Sequence, residues 1–101
     1  MANFKLTDEA RQDLVDIRQF TLMNWGSTQS SHYLRRLQHT LRNLSELPSM
    51  GKSRTVDIAE GVFSFPFVSH MIYYQLCPAG IIVLAVLHQS RVPEIHLDAR
   101  L

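Results

Sequence analysis

His88 closes the run Val83-Leu84-Ala85-Val86-Leu87-His88, and Arg91 stands three residues beyond it. An imidazole at the end of an apolar run, with a guanidinium close by, can act as an acid or base, or can touch a partner surface. The other histidines have different prospects. His70 alternates in step with Val68, Ile72 and Tyr74, which favours an inward-facing, hydrogen-bonded structural ring. His32 and His39 lie two turns apart on one helix face. Zinc wants closer pairs with a cysteine or carboxylate beside them, so no metal site is expected. His96 belongs to the tail Pro93-Glu94-Ile95-His96-Leu97, which alternates apolar and polar residues and can pair briefly or pack on a sheet. There is no glycine-rich phosphate loop. Ser64, Ser69 and Ser90 fall in no nucleophile motif, and Cys77 before Pro78 reads as a turn residue. No cofactor is expected.

These residues need elements to position them, and 101 residues allow one domain, spanning 1–101. Apolar residues make up 46% and charged residues 19%, the balance of a folded chain rather than a disordered one. A net charge of +1 does not resemble the basic footprint of a nucleic-acid binder, and no direct sequence-specific nucleic-acid binding is expected. The single cysteine excludes an intrachain disulfide and fits a reducing, cytoplasmic setting. The N-terminus carries Asp8 and Glu9 and no long apolar stretch, so no signal peptide is expected. The longest apolar run, Ile81 to Leu87, is far short of the roughly 20 residues of a membrane helix.

Asn3 to Leu6 reads as a short strand. Thr7 can cap a helix with Asp8 and Glu9 in its first turn. Ala10, Leu14, Ile17 and Thr21 then mark one face of a helix from about Asp8 to Asn24, broken at Gly26. Ser27 can cap a second helix, from about Thr28 to Glu46, with Tyr33 or Leu34, Leu37, Leu41 and Leu44 along its stripe. Pro48 stops it, and Pro48 to Thr55 is a loop by composition. Three strand-like runs follow: Ile58 to Phe65, Val68 to Leu76 and Ile81 to His88. Pro66 separates the first two, and Cys77 to Gly80 turn between the last two. Short connections predict antiparallel pairing. The last run is apolar throughout, so it should be central or covered on both faces. The predicted fold is α+β: a short N-terminal strand, a two-helix antiparallel hairpin and a three-stranded antiparallel meander, with the helices packed on one sheet face.

In this order, LTDEARQDLVDIRQFT (6–21), NWG (24–26), YLRRL (33–37), SELPSMGKSR (45–54), FPFVSHMIYYQL (65–76) and VLAVLHQS (83–90) resemble the ParE branch of the RelE/ParE toxin superfamily. The resemblance spans nearly the whole chain. It implies the toxin half of a bacterial toxin–antitoxin pair, held inactive in a hetero-oligomer by a small ParD-like, ribbon-helix-helix antitoxin. It also implies one of two activities. ParE proteins poison DNA gyrase and block replication, whereas RelE-type relatives are ribosome-dependent mRNA endonucleases.

The residues favour the first. RNA cleavage at a 2′-hydroxyl needs a general base, a general acid and positive charge for the phosphate. Residues 58–88 contain no lysine or arginine, and His70 falls near the place where ribosome-dependent relatives often carry an arginine. A neutral ring cannot replace a fixed, forked cation. An RNase would have to draw on His88, Arg91, His70 and Arg54. The C-terminal segment of ParE-like proteins is implicated in toxicity, so the resemblance offers His88, Arg91, Ile95 and His96 as target contacts. Those proteins often carry an acid soon after the VLH motif, where this chain has Gln89-Ser90-Arg91-Val92. Candidate antitoxin contacts are Trp25, Tyr33, Arg35, Arg36 and Leu37. The basic residues of the second helix read either as a solvated face or as a surface for an acidic antitoxin segment or for DNA.

Overall fold

The structure is a computed structural model and describes residues 2–101. Strand β1 (Asn3–Leu6) leads into helix α1 (Asp8–Trp25), and helix α2 (Ser27–Glu46) follows at once. Thr7 caps α1 by accepting from the Ala10 amide through its side chain. The second cap differs from expectation. Gly26, at φ 89°, is the cap and Ser27 is already helical, because the one-residue break needs a backbone geometry that glycine tolerates. Thr21 and Ser30 meet across the hairpin, oxygen to oxygen at 2.6 Å, and satisfy each other in the core.

A short 3₁₀ turn at Pro48–Met50 leads to the two-residue strand β2 (Lys52–Ser53), so the expected loop carries some regular structure. Next come β3 (Phe63–Phe67), β4 (His70–Cys77) and β5 (Gly80–His88). The sheet order is β1-β5-β4-β3-β2, with β1 parallel to β5 and the other pairs antiparallel. The expected meander is therefore present, and β5 lies between β1 and β4.

The first meander strand lies later than the spacing predicted. Residues 58–62 form turns, held by Arg54, whose amide donates to the Val62 carbonyl and whose carbonyl accepts from Ile58 and Ala59. Pro66 lies inside β3 and does not separate β3 from β4. Its missing N–H is tolerated because β2 pairs only with Phe63 and Ser64, which leaves Pro66 on an unpaired stretch of edge. The turn is Val68-Ser69 instead, with Val68 at φ 53°, costly backbone for a β-branched residue.

One core packs α1 and α2 against the sheet through Ile17, Leu37, Leu41, Ile72, Tyr74 and Val83. The opposite face buries Val62, Tyr73, Leu84, Leu87 and Leu97. The tail covers part of it as helix α3 (Pro93–Asp98), so it packs on the sheet as a helix and not as a strand. Proline in the first turn and Glu94 after it suit a helix start. With both faces covered, β5 has no need of polar residues. It also carries a bulge. Val83 pairs with Tyr74 and Ala85 with Tyr73, so Leu84 is the extra residue. Ile81 and Val83 face the helices before the bulge, and Val86 does so after it. This change of phase turns His88, two residues past Val86, toward the helices. No helix among the described residues is long and apolar enough to cross a membrane.

Candidate functional site

The change of phase brings the two strand histidines together. His70 and His88 are direct partners across β4 and β5, with ring centroids 5.6 Å apart and planes at 82°. They lie on an open groove of about 670 Å³ that also takes in Asp16, Trp25, Arg91 and His96. The chain thus gathers four of the candidates, His70, His88, Arg91 and His96, on one concavity, with Trp25 as its aromatic wall. Ile95 is 70% exposed on α3 and lies outside the groove lining.

His70 is a structural ring. Tyr33 and His70 are 2.6 Å apart, Oη to Nδ1. Burial raises the Tyr33 phenol above its usual range, so it keeps its proton. Burial, and then the neighbouring His88, pushes the His70 imidazole down, so the ring stays neutral. Tyr33 therefore donates and Nδ1 accepts. His88 is exposed at the strand end. Its Nδ1 lies 3.1 Å from the Ser90 amide, which can only donate, and 2.8 Å from the Ser90 hydroxyl. The neutral ring then carries its hydrogen on Nε2, leaving a donor for a partner.

A ladder of edge-on rings supports this groove. Trp25 meets Phe20 at 6.3 Å and Tyr33 at 5.5 Å, and Tyr33 meets Phe67 at 5.1 Å. Trp25 is 43% exposed and Phe20 58%, so the end of the hairpin presents aromatic surface. Two of the proposed antitoxin contacts do not reach the surface. Tyr33 is buried beneath this ladder, and Leu37, 1% exposed, sits in the main core because its stripe position faces the sheet. Arg35 and Arg36 lie on the outer side of α2, with Arg36 stacked 5.8 Å over the Phe67 ring.

Arg54 is in another place altogether. Its guanidinium holds Asp57 in a fork, with Nη2 2.6 Å and Nε 2.8 Å from Oδ2, and donates to Ser64 at 3.1 Å. It also stacks over Tyr73, on the sheet face opposite the helix hairpin. The hydrogen bond from Arg54 lowers the Asp57 carboxyl, as expected of a committed pair. Arg54 therefore cannot join His88 and Arg91 around one phosphate.

Asp13 and Arg100 are the residues that sequence reasoning missed. Asp13 accepts from Arg100 at 2.7 and 3.0 Å and from the Val86 amide at 3.0 Å. Arg100 also donates to the Leu84 carbonyl at 3.1 Å. The pair thus satisfies β5 at the bulge, beyond the last residue paired with β1. A signal existed for Asp13, since Ala10, Asp13, Ile17 and Thr21 share helical spacing and are all buried. Nothing local marks Arg100. Among the described residues, no cluster of three or more His, Cys, Asp or Glu side chains has metal-holding geometry.

Such a domain is a small α+β unit with an aromatic and histidine-lined groove at the hairpin end. Residues 4–93 match the family model described as ParE toxin of type II toxin-antitoxin system, parDE. The chain belongs to the ParE toxin family. It is 31% identical over 97 residues to Toxin ParE1 of Caulobacter vibrioides, covering 96% of this chain and 99% of that protein. It is 32% identical over 89 residues to Toxin ParE1 of Mycobacterium tuberculosis, covering 87% and 90%. A solved structure described as the chromosomal ParDE TA system from P. aeruginosa has the same fold, with a TM-score of 0.73 at 17% identity. The overlap takes in 87% of this chain and 96% of that one.

Proposed function

We propose that this ParE-family toxin is not an enzyme but binds DNA gyrase, stabilises a broken-DNA intermediate and so blocks replication. The observation that carries this reading is the commitment of the basic groups an RNase would need. Arg54 is forked onto Asp57, His70 is a neutral acceptor for Tyr33, and His88 and Arg91 stand on the groove with no lysine or arginine on β3, β4 or β5. Family membership supports the toxin role, and the toxin-antitoxin description of the family and of the solved relative supports the pairing with an antitoxin.

The antitoxin is a small ribbon-helix-helix, ParD-like protein. Its docking site is a second groove, about 360 Å³, where Phe4, Leu6, Leu14, Val15 and Leu34 leave apolar surface beside β1 over the buried Leu37 and Leu41. An amphipathic helix from the antitoxin fits that lining, and Arg11 and Arg18 at its rim favour acids on the helix flank. β1 has only β5 as a neighbour, so its outer edge can also accept a strand.

A supercoiling assay with purified gyrase tests the target. The expected result is loss of supercoiling with accumulation of cleaved DNA, relieved by antitoxin. Intact gyrase activity beside codon-specific cuts in cellular mRNA would overturn the reading in favour of the endonuclease.

A further inference from the structure

The outer face of α2 is chemically unlike the rest of the molecule. From Ser27 to Asn43 it contains no acid, and it carries His32, Arg35, Arg36, His39 and Arg42. At about 100° per residue these five fall within an arc of about 120°, and they span about 15 Å along the axis. Helix α1, by contrast, holds Asp8, Glu9, Asp13 and Asp16 against Arg11 and Arg18. A net charge of +1 therefore hides a segregation of charge between the two helices. The two ion pairs among the described residues are Arg54–Asp57 and Arg100–Asp13, so no arginine of α2 is held in an ion pair.

The stripe borders an open groove of about 690 Å³ between α2 and the end of β3, at Pro66, Phe67 and Val68. Arg36 is held in place by the Phe67 ring, which fixes one cation at the groove wall. We propose that this face binds the phosphate backbone of duplex DNA without reading its sequence. The row of cations is straight and lies on a rigid helix, which suits a regular line of phosphates. Its one aromatic ring, Phe67, is buried beneath Arg36, so the face lacks the stacking platform that single-stranded nucleic acid needs. A protein partner would want a cluster of apolar anchors; this groove exposes only Val68 among large apolar side chains, whereas such a cluster lies in the Phe4–Leu41 groove, which shares no lining residue with it. The inference stands apart from the gyrase reading, because it requires DNA binding by the toxin alone.

The test is fluorescence anisotropy with the full chain and two labelled duplexes of unrelated sequence, from 50 to 200 mM salt. The two duplexes should bind within about threefold of each other. Three arginine–phosphate contacts set a log–log salt slope of about −2.7. The double variant Arg35→Glu/Arg42→Glu, both exposed positions, should lose at least about tenfold in affinity and flatten the slope by about 1.8. Arg11→Glu/Arg18→Glu on α1, with the same change of charge, should keep most of the binding. Circular dichroism checks that each variant is folded. No binding at 50 mM salt would overturn the proposal. So would an equal loss from the α1 variant, or a polyglutamate peptide competing better than duplex DNA.

Discussion

The Asp13–Arg100 pair joins the first helix to the last residues of the chain across 87 positions of sequence. The side chains keep only 10% and 17% of their exposure. Removing one partner of a buried ion pair costs about 3–5 kcal/mol, because the other charge is left uncompensated. Asp13→Ala also orphans the buried Val86 amide, for about 1–3 kcal/mol more. The Arg100 side chain is already partly exposed and can swing into water when its partner is gone, which returns part of that cost. The expected loss for Asp13→Ala is then about 3–4 kcal/mol, a large share of the 5–15 kcal/mol typical of such domains. Arg100→Ala should cost less, about 2 kcal/mol, because Asp13 still accepts from Val86. The double variant should be no worse than Asp13→Ala alone, giving a coupling of about 2 kcal/mol. Urea unfolding followed by circular dichroism measures all three. If the single costs simply add, or if Asp13→Ala loses less than about 1 kcal/mol, the pair is not the clamp described.

His70 carries a pH dependence. Its folded value is depressed by burial and by His88, so the unfolded chain takes up the proton first. Stability is full above the unfolded value of about 6.5 and falls as pH drops from there toward the folded value. Unfolding midpoints between pH 5 and 8 should show this slope, and His70→Gln should flatten it; an unchanged slope would count against the assignment. At Val68, φ 53° costs a β-branched residue about 1–2 kcal/mol, and the side chain is 61% exposed. Val68→Gly should therefore be neutral or stabilising by up to about 1 kcal/mol after glycine's own entropy cost, and a higher unfolding midpoint would show it. Gly80 has φ 146°, and a Cβ there would run into the Asn3 carbonyl oxygen. Gly80→Ala should cost at least about 2 kcal/mol and expose the β1 amides to faster hydrogen exchange, whereas unchanged protection of β1 would contradict the contact.

The helices were legible because their cores repeat at helical spacing and their ends are punctuated by Thr7, Gly26 and Pro48. β5 was legible because a run apolar at every position must be covered on both faces. The turn between β3 and β4 was not. Proline normally ends a strand and valine avoids positive φ, so local preference points at Pro66 and away from Val68. Pairing of Phe65 with Ile72 and of Phe67 with His70 outweighs both, since it keeps Phe67 and Ile72 in the core. The groove was partly legible. His88 was marked by its place at a strand end, but its direction depends on the bulge at Leu84, which no alternation reveals in a uniformly apolar run. Tyr33 and Leu37, offered as antitoxin contacts, are buried because the YLRRL segment mixes core and surface positions within one helical turn.

The hairpin explains how so small a domain can present several separate surfaces. A helix pair packed on a sheet buries one arc of each helix and leaves the others to solvent. Here the leftover surfaces differ in kind. One is apolar beside β1, one is cationic along α2, and one is aromatic and histidine-rich at the hairpin end. They share no lining residue, so each can change without disturbing the others. The core sets tighter limits, because Tyr33 both packs in it and holds His70, and Phe67 both packs in it and lines the α2 groove. Substitution there would alter stability and binding together. Substitution at His88, Arg91 or Arg35, all exposed, separates the two.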